Sequence, residues 1–87
     1  MEDYREIANK AVENKKDLMP VHNGTVSQYK TRLIIFRDVL EEADIVLKDL
    51  GNKYIKENNC NLEQIEQIRE INKEIITSFI EYFNANK

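Results

Sequence analysis

Residues 29–54 read YKTRLIIFRDVLEEADIVLKDLGNKY, and their spacing decides the fold. Tyr29, Leu33, Phe36, Leu40, Ala43, Leu47, Leu50 and Tyr54 fall 4, 3, 4, 3, 4, 3 and 4 residues apart. At about 100° per residue a helix gathers all eight within about 100° of arc. A strand, with its period of two, would scatter them over both faces. Ile35, Val39 and Val46 widen the apolar arc to about 160°, broad enough to meet two neighbouring helices. The expected helix covers about 26–57. Gly51-Asn52 interrupts the helical preference, and a glycine there can end a helix as a left-handed cap. Tyr54 keeps the register beyond it, which favours continuation.

Upstream, Tyr4, Ile7, Ala11 and Leu18, joined by Ala8 and Val12, form one stripe on a helix over about 2–18. It stops before Met19-Pro20, because a residue preceding proline is pushed out of the α region. Pro20-Val21-His22-Asn23-Gly24 reads as a loop, and Thr25 or Ser27 caps the next helix. Downstream, Asn58-Asn59-Cys60-Asn61 is a turn cluster, and Asn61 with Gln64 forms a capping box. A third helix over about 62–84 follows. Ile65, Ile68, Asn72, Ile75, Phe79 and Tyr82 step 3, 4, 3, 4, 3 along it, and Ile71, Ile76, Ile80 and Phe83 broaden its apolar face. No segment alternates with period two. The prediction is an all-α, single-domain chain over 1–87: an antiparallel three-helix bundle built on a long central helix. Helix 1 is expected along the first half of helix 2, and helix 3 along its second half and middle. The rival arrangement is a helix 2–helix 3 hairpin that dimerises into a four-helix bundle, with helix 1 peripheral.

The chain has 87 residues, 33% charged and 41% hydrophobic, with two glycines and one proline, which argues against disorder and turn-rich β folds. Thirteen Lys and Arg are scattered among sixteen acids, for a net charge of −3, so nucleic-acid binding is disfavoured. One cysteine, Cys60, allows neither an intrachain disulfide nor a cysteine metal cage and fits a reducing cytoplasm. The charged start, Met1-Glu2-Asp3-Tyr4-Arg5-Glu6, does not read as a signal peptide. The longest apolar run, Leu33-Ile34-Ile35-Phe36, is far below the ~20 residues that cross a bilayer, so no membrane partner is expected. The richness in Ile, Asn, Lys and Glu fits an AT-rich bacterial or phage genome.

Chemistry-bearing motifs are sparse. No Glu-x-x-His or His-Glu-x-x-His pattern surrounds His22, which reads as an ordinary loop residue. There is no Gly-rich phosphate loop and no serine–histidine arrangement. No catalytic residue, metal or cofactor is therefore expected, and the chain reads as no enzyme. Cys60, close to a helix start, is expected to be an inert, half-packed thiol rather than a reactive one. Asn72, inside the apolar arc of helix 3, either fixes packing register or reaches water at a bundle edge. The aromatic residues at helical spacing read as core. Asp44–Lys48 and Asp49–Lys53 are surface pairs at i,i+4 spacing.

Two surfaces remain as sites for a partner. Ile34 and Ile45 lie opposite the main seam of helix 2, three turns apart, flanked by Asp38, Glu41 and Glu42. Glu63, Glu66, Glu70 and Glu74, with Glu81, share about 80° of helix 3. That acidic ridge suits a partner with a basic surface, although Arg69 and Lys73 dilute it. As a convex face it lacks the pocket that would turn carboxylates into acid–base catalysts. The expectation is a cytoplasmic, non-enzymatic protein of phage or mobile-element type that binds another protein as regulator, inhibitor or adaptor, and forms a homodimer. Ile34, Asp38, Glu42 and Ile45 are its first surface and the glutamate ridge its second. The alternatives are an immunity-type protein that neutralises a toxin, a nucleic-acid binder using Lys30, Arg37 and Lys48, and a carboxylate enzyme.

Overall fold

The structure, a computed structural model, describes residues 2–19 and 26–85, with the side chains of residues 2 and 26–29 excepted. His22, Thr25 and the side chains of Ser27 and Tyr29 lie outside the described residues. The described residues form three helices: α1 (Glu2–Lys16), α2 (Val26–Glu57) and α3 (Leu62–Ala85). No strand occurs among the described residues. The three pack against each other as an all-α bundle measuring 49 × 18 × 18 Å. Its long dimension is the length of α2, since 32 residues at about 1.5 Å each rise about 48 Å.

Each helix end has a local cause. α1 finishes with Lys15 and Lys16, cations that suit the negative end of the helix dipole. α2 runs through Gly51 to Glu57 and closes in a Schellman turn: Cys60 N–H reaches the Ile55 carbonyl at 3.2 Å, and Asn59 takes φ 48°. Asn tolerates that left-handed conformation better than most residues. Cys60 and Ile55 both pack on the core beside it. The capping box forms as expected, with Asn61 and Gln64 each accepting the other's backbone N–H at 2.9 Å.

Contacts fix the directions. Phe36 stacks on Phe83 at 4.2 Å, and Asn72 donates to the Leu47 carbonyl, so α2 and α3 are antiparallel. Lys15 meets Glu42, and the Tyr54 hydroxyl donates to Asp3. Helix α1 therefore lies along the second half of α2, not the first half as the sequence reading expected. Tyr4, Ala8 and Val12 of α1 are buried at a four-residue step, as are Ala43 and Leu47 of α2, with Gly51 one step further. The small side chains sit in that half, and there two helices approach closely.

The core has two parts. The larger joins Tyr4, Ala8, Val12, Ala43, Leu47, Ile68, Ile71, Ile75 and Phe79. The smaller, at the far end, joins Met19, Val39 and Phe83 with Phe36 against them. Several positions expected inside are not. Ile7 and Leu18 face outward because α1 buries the Tyr4–Ala8–Val12 line instead. Leu33, first in the described part of the α2 seam, is 40% exposed, and Ile35 equally so. Both lie beyond the stretch that α1 covers. Tyr82 and Ile80 of α3 also point outward.

Candidate functional site

The centre of the bundle holds one polar node. The Tyr4 hydroxyl donates to Asn72 Oδ1 at 2.6 Å, and Asn72 Nδ2 donates to the Leu47 carbonyl at 3.2 Å. One asparagine thus ties all three helices, so the register reading of Asn72 is the one the structure shows. Gly51 makes room for it. A β-carbon there would stand 3.2 Å from Ile68 Cγ2 and 3.3 Å from both Asn72 Nδ2 and the Tyr4 hydroxyl.

On the far side of this node α2 and α3 leave an open groove of about 530 Å³. Ile55 and Gly51 of α2 and Ile68 and Ile76 of α3 form its apolar floor. Lys48, Asn52, Arg69 and Lys73 stand on its rim as exposed side chains. No residue of α1 lines it. Helix α1 occupies the opposite side of the α2–α3 pair, reaching Glu42 through Lys15 at 3.2 Å and Glu74 through Arg5 at 2.7 Å. On α2, Glu42 and the groove residue Asp44 lie about 160° apart. The groove is therefore the vacant position of a four-helix arrangement.

Its charge is unlike that of the whole chain. Three cations and one carboxylate, Asp44, line it, a net of +2 on a protein of net −3. Lys48 is held by Asp44 at 2.9 Å. Arg69 and Lys73 follow each other at i,i+4, a like-charge spacing that costs a helix a few tenths of a kcal/mol. Beside them Glu66, Glu70 and Glu74 repeat at the same spacing. Glu66 and Glu70 precede Arg69 and Lys73 by three residues, a spacing at which opposite charges can meet, yet no ion pair within α3 occurs among the described residues.

The residues proposed from sequence are spread over other faces. Ile34 and Ile45 are each 54% exposed, with Asp38 and Glu42 exposed near them on α2. Glu63, Glu66, Glu70 and Glu74 are all exposed on α3. Glu42 and Glu74, however, are engaged by Lys15 and Arg5 of α1 and serve the bundle itself. The Asp44–Lys48 pair forms, whereas Lys53 lies 4.0 Å from Glu57 and makes no ion pair with Asp49.

Sequence reasoning treated Arg69 and Lys73 as a dilution of the glutamate ridge. Their common side with Ile65 and Ile76, at four- and three-residue steps, was the available signal. It also passed over Arg32, which is buried, only 4% exposed, with its guanidinium 5.2 Å from the centre of the Phe83 ring. Arg32 stands four residues before Phe36, in line with the apolar seam, and that in-line cation was legible.

Among the described residues, no group of three His, Cys, Asp or Glu side chains is placed to hold a metal ion. Among the same residues, no helix is long and apolar enough to cross a membrane. Compared with protein families, curated proteins and solved structures, the chain matches none.

Proposed function

We propose that this chain works without catalysis, by binding another protein, and that the α2–α3 groove is the surface it uses. The carrying observation is the groove itself: an open apolar floor on which Ile55 and Ile76 are half-buried above the buried Ile68, on the side of the α2–α3 pair that α1 does not line. An amphipathic helix laid into a groove of two helices is a common mode of peptide recognition. Regulator, inhibitor and adaptor are the roles such a module plays in the cytoplasm. Neutralising a toxin is one form of the same action. The convex Ile34–Ile45 face is the second surface, and self-association through it is the form of dimer this reading retains, because both isoleucines are half exposed there.

Filling the groove tests the reading. Asn52→Trp with Thr77→Trp places two bulky rings on exposed rim positions. Capture of partner protein from the source cell should fall away with this variant while helicity and melting stay unchanged. Ile34→Asp with Ile45→Asp should leave capture intact and shift only the mass seen by light scattering, if that face pairs. Capture unaffected by the tryptophans but lost with the aspartates would move the site to the convex face.

A further inference from the structure

The charge on the groove rim specifies its occupant. We propose that the α2–α3 groove takes an acidic amphipathic helix: an apolar stripe flanked by Asp or Glu, about three turns long. This rests on the reading of the groove as the binding surface and adds the chemistry of what fills it.

Length comes from the floor. Ile68 to Thr77 spans about 14 Å of α3, which matches a helix of about ten residues. Sign comes from the rim. Arg69 and Lys73 make no ion pair among the described residues, and they repel each other at i,i+4 spacing. A carboxylate row on an incoming helix relieves that repulsion. Glu66 and Glu70 stand at i,i+3 from Arg69 and Lys73 but form no ion pair with them, and Glu74 is turned to Arg5.

Other occupants fit less well. Two copies closing groove to groove would bring both basic rims together, a like-charge juxtaposition that opposes pairing. Single-stranded nucleic acid is held by aromatic stacking as well as by charge, and no aromatic side chain lines the groove. An isoleucine floor suits leucines or isoleucines on a helix face.

The test uses the full chain and three helical peptides that share one leucine stripe and carry Glu, Gln or Lys flanks. The Glu peptide should bind at least about tenfold tighter than the Lys peptide. Its affinity should drop severalfold from 50 to 500 mM salt, as exposed charge pairs are screened over about 10 Å or less. Arg69→Glu with Lys73→Glu should invert the order, so that the Lys peptide becomes the better ligand while the helical content at the assay temperature is kept. Equal affinity for Glu and Gln peptides would overturn the acidic-partner proposal and leave groove binding standing. Binding of none of the three would overturn both. Tighter binding of a single-stranded oligonucleotide than of the Glu peptide would also overturn it. So would a mass that rises with concentration and is restored to one chain by the same double variant, because the occupant would then be a second copy.

Discussion

Tyr4 and Asn72 carry more of this structure than their number suggests. Their hydrogen bond, with the second from Asn72 to the Leu47 carbonyl, is the polar tie between the three helices. Tyr4→Phe keeps the ring but leaves Asn72 Oδ1 without that donor, and should cost about 1–2 kcal/mol. A lower urea midpoint at unchanged slope would register it. The same region sets the alkaline limb of stability. Burial pushes the Tyr4 hydroxyl above its usual value of 10.0. The hydrogen bond to Asp3 raises Tyr54 and lowers the Asp3 carboxyl. A raised acid favours the folded state fully below the unfolded value, so the two tyrosine contributions are present below pH 10 and lost as pH rises through the higher folded values. Asp3 acts in the opposite window: its contribution is present above pH 3.8 and lost as pH falls through the folded value below it. The urea midpoint should therefore hold near neutrality and fall above pH 10, and Tyr4→Phe should flatten that fall. A wild-type midpoint unchanged at pH 11 would contradict the assignment.

Elements fail or hold at their ends and at their closest approach. Asn59→Ala places an ordinary side chain at φ 48° and should cost about 1 kcal/mol, whereas Asn59→Gly should be neutral or better. Gly51→Ala gains about 1 kcal/mol of helix propensity. It also sets a methyl against Ile68, Asn72 and Tyr4 at 3.2–3.3 Å, and overpacking costs about 1–3 kcal/mol. A net loss of about 1 kcal/mol is expected, and an increase in melting temperature would show that the node relaxes freely. Leu47→Ala, at a fully buried position, should cost about 3 kcal/mol, while Leu33→Ala, at an exposed one, should cost below about 1 kcal/mol. These elements were legible in the sequence for physical reasons. The 3–4 spacing of Leu40, Ala43 and Leu47, and the Asn61–Gln64 box, are local, so they need no knowledge of partners. The inner line was less legible. Periodicity gives the middle of an apolar arc, but Ala8, Ala43 and Gly51 are buried because small residues let backbones meet, and a hydrophobic count underrates them.

For the whole molecule, the sequence reading set α1 on the first half of α2 and the structure sets it on the second, because an apolar stripe names no neighbour. That placement determines the site. With α1 on the second half of α2 and on the Glu74 side of α3, the Arg69–Lys73 side is left open. The glutamate ridge and the Ile34–Ile45 pair were legible as exposed side chains. The groove was not, since it exists only where two helices converge, and its basic column was masked by an acidic average. Charge steering by such a rim acts more on association rate and orientation than on affinity.

The most direct test is isoleucine-methyl NMR of the intact chain titrated with the Glu-flanked peptide, because isoleucines report on both surfaces at once. Methyl signals of Ile55 and Ile76 should shift and those of Ile34 and Ile45 stay in place. Movement of Ile34 and Ile45 with Ile55 and Ile76 unchanged would contradict the groove as the binding surface.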